Sequence, residues 1–297
     1  MAINQVITRL YKYQGAGNDF LVADNRDGSI TEDSGVLTFR NPEGETMKVK
    51  IANVCDRRYG VGADGFMLLE NSDAYDFRMV YFNSDGSGGM MCGNGGRCIV
   101  AFAADMGIQH FDFEAADGFH TAQISCLEGA CRTVRLKMKD VYQAFRHECL
   151  EGVSVPSDGW FLDTGTRHFV RLVDGLEAYD IVSEGRDIRR NAVELMPVGA
   201  NVNYVEPAGD LIKVRTYEKG VEDETYACGT GIVASSMASF LGGVRPSVTF
   251  PDGRVRYDVL AVRDSLAVDF IPSEAGFRDV WLTGPASYVA EILLNDM

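Results

Sequence analysis

"CGNGGRCIVAFAADMG", residues 92–107, sets a cysteine directly ahead of Gly-Asn-Gly and then runs into a helical pattern. The pattern predicts a helix beginning near Gly93. Cys98, Ile99, Phe102 and Met106 share one face, and Gly107 is the stop. The arrangement recurs in "CGTGIVASSMASFLGG", residues 228–243: a cysteine, Gly-x-Gly, a small-residue helix from near Gly229 and an ending at Gly242. Ahead of them lie "YFNSDGSGGMM" (81–91) and "YEKGVEDETYA" (217–227), so a tyrosine stands eleven residues before each cysteine. Further upstream, "GNDFLV" (17–22) and "GTRHFV" (165–170) each read as a glycine-led turn into a strand.

Between these landmarks the chain is mostly short β-patterned runs. Strands are predicted at 20–24, 66–70, 77–82, 133–138, 169–173, 201–206 and 212–217. Long β stretches with one prominent helix per half predict an α+β protein built from two related halves, rather than a doubly wound parallel sheet.

At 297 residues the chain is long enough for one large or two medium domains. A net charge of −15 leaves no general basic surface for nucleic acid or anionic lipid, although a few N–H groups can still hold a small carboxylate. The first fifteen residues have no signal-peptide pattern, and no run is apolar enough for a bilayer, so a cytoplasmic protein is the default expectation. Seven cysteines (55, 92, 98, 126, 131, 149 and 228) form neither an even disulfide framework nor a C-x-x-C zinc pair, so no metal is expected. Most of these thiols read as small core residues, Cys98 among them. No Walker loop is present, "GVGADG" (60–65) lacks a Rossmann context, and no cofactor is demanded.

Cys92 and Cys228 ask for a different explanation. A cysteine at a helix N-terminus meets unpaired N–H groups and the positive end of the macrodipole, which favours thiolate. The same N–H groups bind anions, and glycine lets a ligand approach the backbone. Two such units suit a carboxylate held at helix ends with a thiol on each side of one carbon. One sulfur would remove an α-proton while the other delivers one to the opposite face.

The segments "YKYQGAGNDFLVADNRDG" (11–28), "CDRRYGVGADGFMLLE" (55–70), "MMCGNGGRC" (90–98), "GANVNYVE" (199–206) and "RTYEKGVEDETYACGTG" (215–231) resemble diaminopimelate epimerase, in order and over nearly the whole chain. The resemblance implies two similar pseudo-symmetric domains, each a β-structure around a central helix, with the active site in the interdomain cleft. The expected domains are 1–137, to which 284–297 returns, and 138–283. It also implies cofactor-independent interconversion of LL- and meso-diaminopimelate, a precursor for lysine and peptidoglycan, with a small amino-acid substrate and no nucleic-acid or membrane partner. A homodimer is compatible with the sequence and not required by it.

Residue by residue, Cys92 and Cys228 match the acid/base cysteines. Gly93, Asn94, Gly229 and Thr230 match the positions whose N–H groups receive the reacting carboxylate. Asn18 matches an asparagine near the substrate. Asn83, Asn201 and Lys219 match positions at the far amino-carboxylate end, and Glu218 and His168 match residues near the thiols. Three departures touch recognition. Lys219 stands where the family has arginine, and Thr166-Arg167 stands where it has Asn-Pro. "GSGGMM" (86–91) is unusually small. A threonine hydroxyl replaces an amide at 166, and Arg167 is a new cation that could take over carboxylate recognition. Racemisation of another amino acid and a non-catalytic acid-binding role therefore stay open beside the epimerase reading. Taken alone, Asn18, Asn83 and Asn201 also read as turn formers, His168 as a core histidine and Lys219 as a solvated charge.

Overall fold

The computed structural model describes residues 8–89, 91–142, 144–146, 158–191 and 199–294; Met90 and Cys149, named above, lie outside them. The chain divides into two compact units, Met1–Leu136 with Pro285–Met297, and Lys137–Gly284.

In the first unit β1 (Thr8–Gly15) and β2 (Asn18–Asp24) form an antiparallel hairpin. Its turn is closed by Ala16 and Gly17, at φ 53° and 94°. β3 (Ile30–Asp33), β4 (Val36–Arg40) and β5 (Thr46–Lys50) make a separate three-stranded sheet, followed by the short helix α1 (Ile51–Val54). β6 (Gly65–Glu70) then runs parallel to β2, and β7 (Phe77–Asn83) antiparallel to β6. Helix α2 (Gly93–Asp105) comes next. After it, β8 (Asp112–Ala115) pairs parallel to β7, and β9 (Gly118–Glu128) and β10 (Cys131–Lys137) extend the antiparallel ladder.

The second unit repeats this order. After β11 (Ala144–Arg146), β12 (Gly159–Asp163) and β13 (Arg167–Leu172) form the hairpin, with Gly165 at φ 108°. Helix α3 (Ile181–Asn191) occupies the place of the three-stranded sheet. β14 (Asn201–Ala208) is parallel to β13, and β15 (Leu211–Glu218) is antiparallel to β14. The short β16 (Asp223–Thr225) leads into α4 (Gly229–Leu241) and then β17 (Val248–Thr249). β18 (Val255–Leu260) is parallel to β15 and β19 (Ser265–Ser273) antiparallel to β18. The chain crosses between units within β20 (Gly276–Leu294), which pairs with β19 at its start and with β1 at its end. The α+β class read from the sequence holds, and the duplication extends to the parallel and antiparallel sense of every matched pairing.

Both central helices are enclosed. Every residue of α2 from Gly93 to Ala103 is buried, so burial extends beyond the face that Cys98, Ile99, Phe102 and Met106 share. Phe102 packs against Tyr11 and Tyr13, at ring-centroid distances of 5.1 and 5.7 Å. In α4 small residues allow the same enclosure, and the buried Ser236 and Ser239 hydroxyls donate back to the carbonyls of Ile232 and Ser235.

The outer faces of the two ladders are covered differently. In the first unit Leu21, Phe66, Leu68 and Phe82 pack with Leu37, Phe39, Met47 and Val49 of the small sheet. In the second, Phe169, Val202, Tyr204 and Tyr217 pack with Ile181 and Ile188 of α3. This corrects the tyrosine spacing. Phe20 pairs with Gly65 and Gly65 with Asn83; His168 pairs with Asn201, and the β14–β15 register sets Asn201 opposite Glu218. Tyr217 therefore corresponds to Phe82, and Tyr81 to Thr216. Because strand side chains alternate, the two tyrosines lie on opposite faces of their ladders. Tyr81 faces Phe20, whereas Tyr217 closes against Gly185 of α3, where a Cβ would stand 2.6 Å from its own.

Candidate active site

At the start of α2, Cys92 is the N-cap in extended backbone (φ −103°, ψ 147°), and its sulfur accepts the Gly95 N–H at 3.2 Å. A donor aimed at sulfur favours the charged form. A Cβ at Gly95 would lie 3.4 Å from the Cys92 sulfur and 3.6 Å from both Met79 and Phe20, so apolar side chains stand beside the same turn. Tyr81 closes over Gly89, where a Cβ would meet its ring at 2.5 Å; this gives that one glycine of the "GSGGMM" segment a steric reason. Burial, and then the nearby Cys92, push the Tyr81 hydroxyl up, so it stays protonated.

Beside this start runs a polar ladder. Arg97, wholly buried, donates to the Asn94 side-chain oxygen at 2.8 Å and to the carbonyls of Gly93 (3.2 Å) and Pro285 (3.3 Å). Asn94 donates to Asn18 at 2.5 Å, and Asn18 to Asp64 at 3.0 Å. Arg57 bridges Asp64 and Asp19, and Lys12 also pairs with Asp19. Burial alone would raise the Asp19 carboxyl, but Arg57 and Lys12 hold it below the usual range. The sequence places Asn94 and Asn18 here; Arg97, Asp64 and Arg57 complete the support. The Asn83 amide donates to Ser87 in the turn after β7, and its oxygen lies 3.2 Å from where a Gly89 Cβ would stand. Burial drives the Cys98 thiol far up and leaves it inert core, as read from the sequence.

At the start of α4, Cys228 is again an extended N-cap (φ −97°, ψ 111°), here without a side-chain cap bond. Its sulfur lies 3.5 Å from the Thr230 hydroxyl. That hydroxyl is 2.9 Å from Thr166 Oγ1 and 3.0 Å from His168 Nε2. Asn203, fully buried, ties the cluster down: its amide nitrogen donates to the Phe169 carbonyl at 3.3 Å and to His168 Nδ1 at 3.0 Å. Because a carbonyl can only accept, the amide orientation is fixed, and Nδ1 must be the accepting nitrogen. The proton of a neutral His168 then sits on Nε2, aimed at the threonine hydroxyls. Burial lowers His168 to about 3, so the ring is neutral at physiological pH. Thr216 donates to Asn203 Oδ1 at 2.9 Å and completes the network. Asn203 and Thr216 were not singled out from the sequence, although Asn201-x-Asn203 in a strand puts two amides on one face.

Asn201 accepts the Lys219 N–H at 2.8 Å and donates to the Arg167 carbonyl at 3.3 Å, so it works as a backbone brace. Glu218 accepts from Thr225 at 2.7 Å. Arg167 opens β13, and its Nη1 is buried without a hydrogen-bond partner among the described residues. Among the described residues no His, Cys, Asp or Glu cluster could hold a metal ion, and no helix is long and apolar enough to cross a membrane.

The sequence model of the diaminopimelate epimerase family matches residues 10–138. A diaminopimelate epimerase of Flavobacterium psychrophilum is 38% identical, covering 95% of this chain and 98% of its own length. One from Chlorobaculum tepidum is 41% identical, covering 93% and 96%. Among solved structures, a hydroxyproline epimerase from Agrobacterium vitis superposes with a TM-score of 0.65 at 14% identity, covering 97% of this chain and 91% of that one. A Bacillus anthracis protein of the PhzF phenazine-biosynthesis family gives 0.64 at 14%, covering 97% and 99%. These two share the fold; the curated relatives, matched end to end, share the sequence as well. The chain belongs to the diaminopimelate epimerase family of isomerases.

Proposed function

We propose that the chain interconverts LL- and meso-2,6-diaminopimelate by two-base chemistry, with Cys92 and Cys228 as the acid/base pair and no cofactor. The observation that carries this reading is the duplicated cap: each enclosed central helix begins with a cysteine followed by Gly-x-Gly. The reaction requires the two sulfurs to flank one α-carbon. One thiolate takes the α-proton and becomes a thiol; the C–H electron pair passes into the carboxylate as an enediolate. The opposite thiol then returns a proton to the other face and becomes the thiolate. First-turn N–H groups at Gly93–Asn94 and Gly229–Thr230 would hold the carboxylate, where its charge grows. Neutral His168, through Thr230, supports the Cys228 side without carrying charge.

In deuterated water under reducing conditions, LL-diaminopimelate should yield meso product with one solvent deuterium at the inverted α-carbon. Product formed without that label would refute the mechanism. A second reading, racemisation of another amino acid, draws on Thr166 and Lys219, and α-hydrogen exchange measured across amino acids separates the two.

A further inference from the structure

We propose that Arg189 of α3 is a substrate-binding residue that, together with Lys219, grips the distal carboxylate of an amino diacid; this rests on the epimerase reading above. Gly199, at φ 74°, marks the place. A Cβ there would stand 3.0 Å from Arg189 Nη1 and 3.8 Å from the Lys219 side chain at Cδ, so both cationic side chains converge on one bare stretch of backbone. In a chain with 43 acidic residues against 28 basic ones, two cations that converge with Glu222 as the one carboxylate paired to either among the described residues call for a reason. Lys219 has no ion-pair partner among the described residues. Arg189 uses only its Nε, which donates to Glu222 at 2.7 Å.

Glu222 is itself locked by the Gly220 N–H at 3.2 Å and the Tyr217 hydroxyl at 3.1 Å. It therefore fixes the rotation of the guanidinium about its stem. The edge bearing Nη1 and Nη2 is left without a hydrogen bond among the described residues, with the side chain one-quarter exposed. That edge is the fork that fits a carboxylate with two parallel bonds, whereas an ammonium acts as a point charge. A cation in the last turn of α3 is also welcome to the helix dipole. The dipole does not explain why Lys219, on another element and tied to β14 through Asn201, closes on the same spot. Arg189 thus supplies the planar recognition that lysine at 219 cannot.

The test is steady-state kinetics on LL-diaminopimelate with Arg189→Gln, Arg189→Lys and Glu222→Gln. Loss of a charge-assisted pair should raise KM about ten-fold or more in Arg189→Gln, with kcat within about three-fold. Arg189→Lys, which keeps charge without the fork, should fall between wild type and Arg189→Gln. Glu222→Gln keeps an oxygen that can hold Nε, so its KM should stay within about three-fold of wild type; a rise as large as that of Arg189→Gln makes the ion pair merely structural and overturns the proposal. So does an unchanged KM in Arg189→Gln, or a fall in kcat with KM constant. Absence of α-hydrogen exchange by the wild-type enzyme would instead mean that the epimerase reading itself has failed.

Discussion

The two helix starts share a backbone and differ in everything that lines them. Around Cys92 the matched ladder positions are Phe20, Met67 and Tyr81; around Cys228 they are His168, Asn203 and Thr216. Duplication has kept the cap, the glycines and the strand order, while one lining is an aromatic wall and the other a buried hydrogen-bonded cluster. Two bases that alternate as acid and base need not have identical surroundings. On the proposed mechanism each sulfur needs a setting that tolerates both protonation states. One finds it in a backbone donor, the Gly95 N–H, and the other in rotatable hydroxyls.

The largest effect that can break this comparison is loss of either sulfur. Cys92→Ala and Cys228→Ala should each lower kcat for inversion by about 10³-fold or more, in line with the removal of a proton-transfer group. A much smaller loss for one of them would show that the starts are not equal partners.

Glycine substitutions sharpen it next, since they should have opposite signs. At Gly231 a Cβ would stand 2.4 Å from Asn203 Oδ1, so Gly231→Ala must displace the amide that fixes His168. We expect destabilisation of about 1–3 kcal/mol. At Gly95 the nearest atom is at ordinary contact distance, so Gly95→Ala should stabilise by about 0.5–1 kcal/mol through helix propensity. Denaturant unfolding of both variants checks the pair.

A pH dependence separates the linings further. His168 is lowered by burial to about 3, so below the unfolded value of 6.5 the unfolded chain binds a proton that the folded one refuses. This contribution to stability is fully present above pH 6.5 and is lost as pH falls toward 3, by about 2 kcal/mol at pH 5. His168→Gln should flatten that segment of the stability curve, measured by unfolding at pH 7 and pH 5. No residue on the Cys92 side should do so, because Phe20 stands there in place of histidine.

Much of this was legible in the sequence. Caps, glycine-led turns and the central helices announce themselves locally, because each depends on chemistry within a few residues. Three features did not. The sheet β3–β5 alternates, with Thr31, Thr38 and Lys48 on its solvent face and Leu37, Phe39, Met47 and Val49 on its buried one, but its strands are only four or five residues long and the partners of the buried face come from β2 and β6. The tyrosine match misled because sequence spacing ignores which face a strand presents, and one residue of slip moved Tyr217 to the outer core. Asn203, Asp64 and Arg97 escaped notice because a buried polar residue gains its meaning from partners far along the chain, as Arg97 does from Pro285.

The central claim is that the two sulfurs serve one α-carbon from opposite faces. The most direct measurement follows LL- and meso-diaminopimelate separately in deuterated water with Cys92→Ala and with Cys228→Ala. The account predicts that neither variant inverts at a wild-type rate, and that whatever exchange survives at the reacting α-carbon proceeds with retention. Inversion at the wild-type rate with either sulfur removed would contradict it.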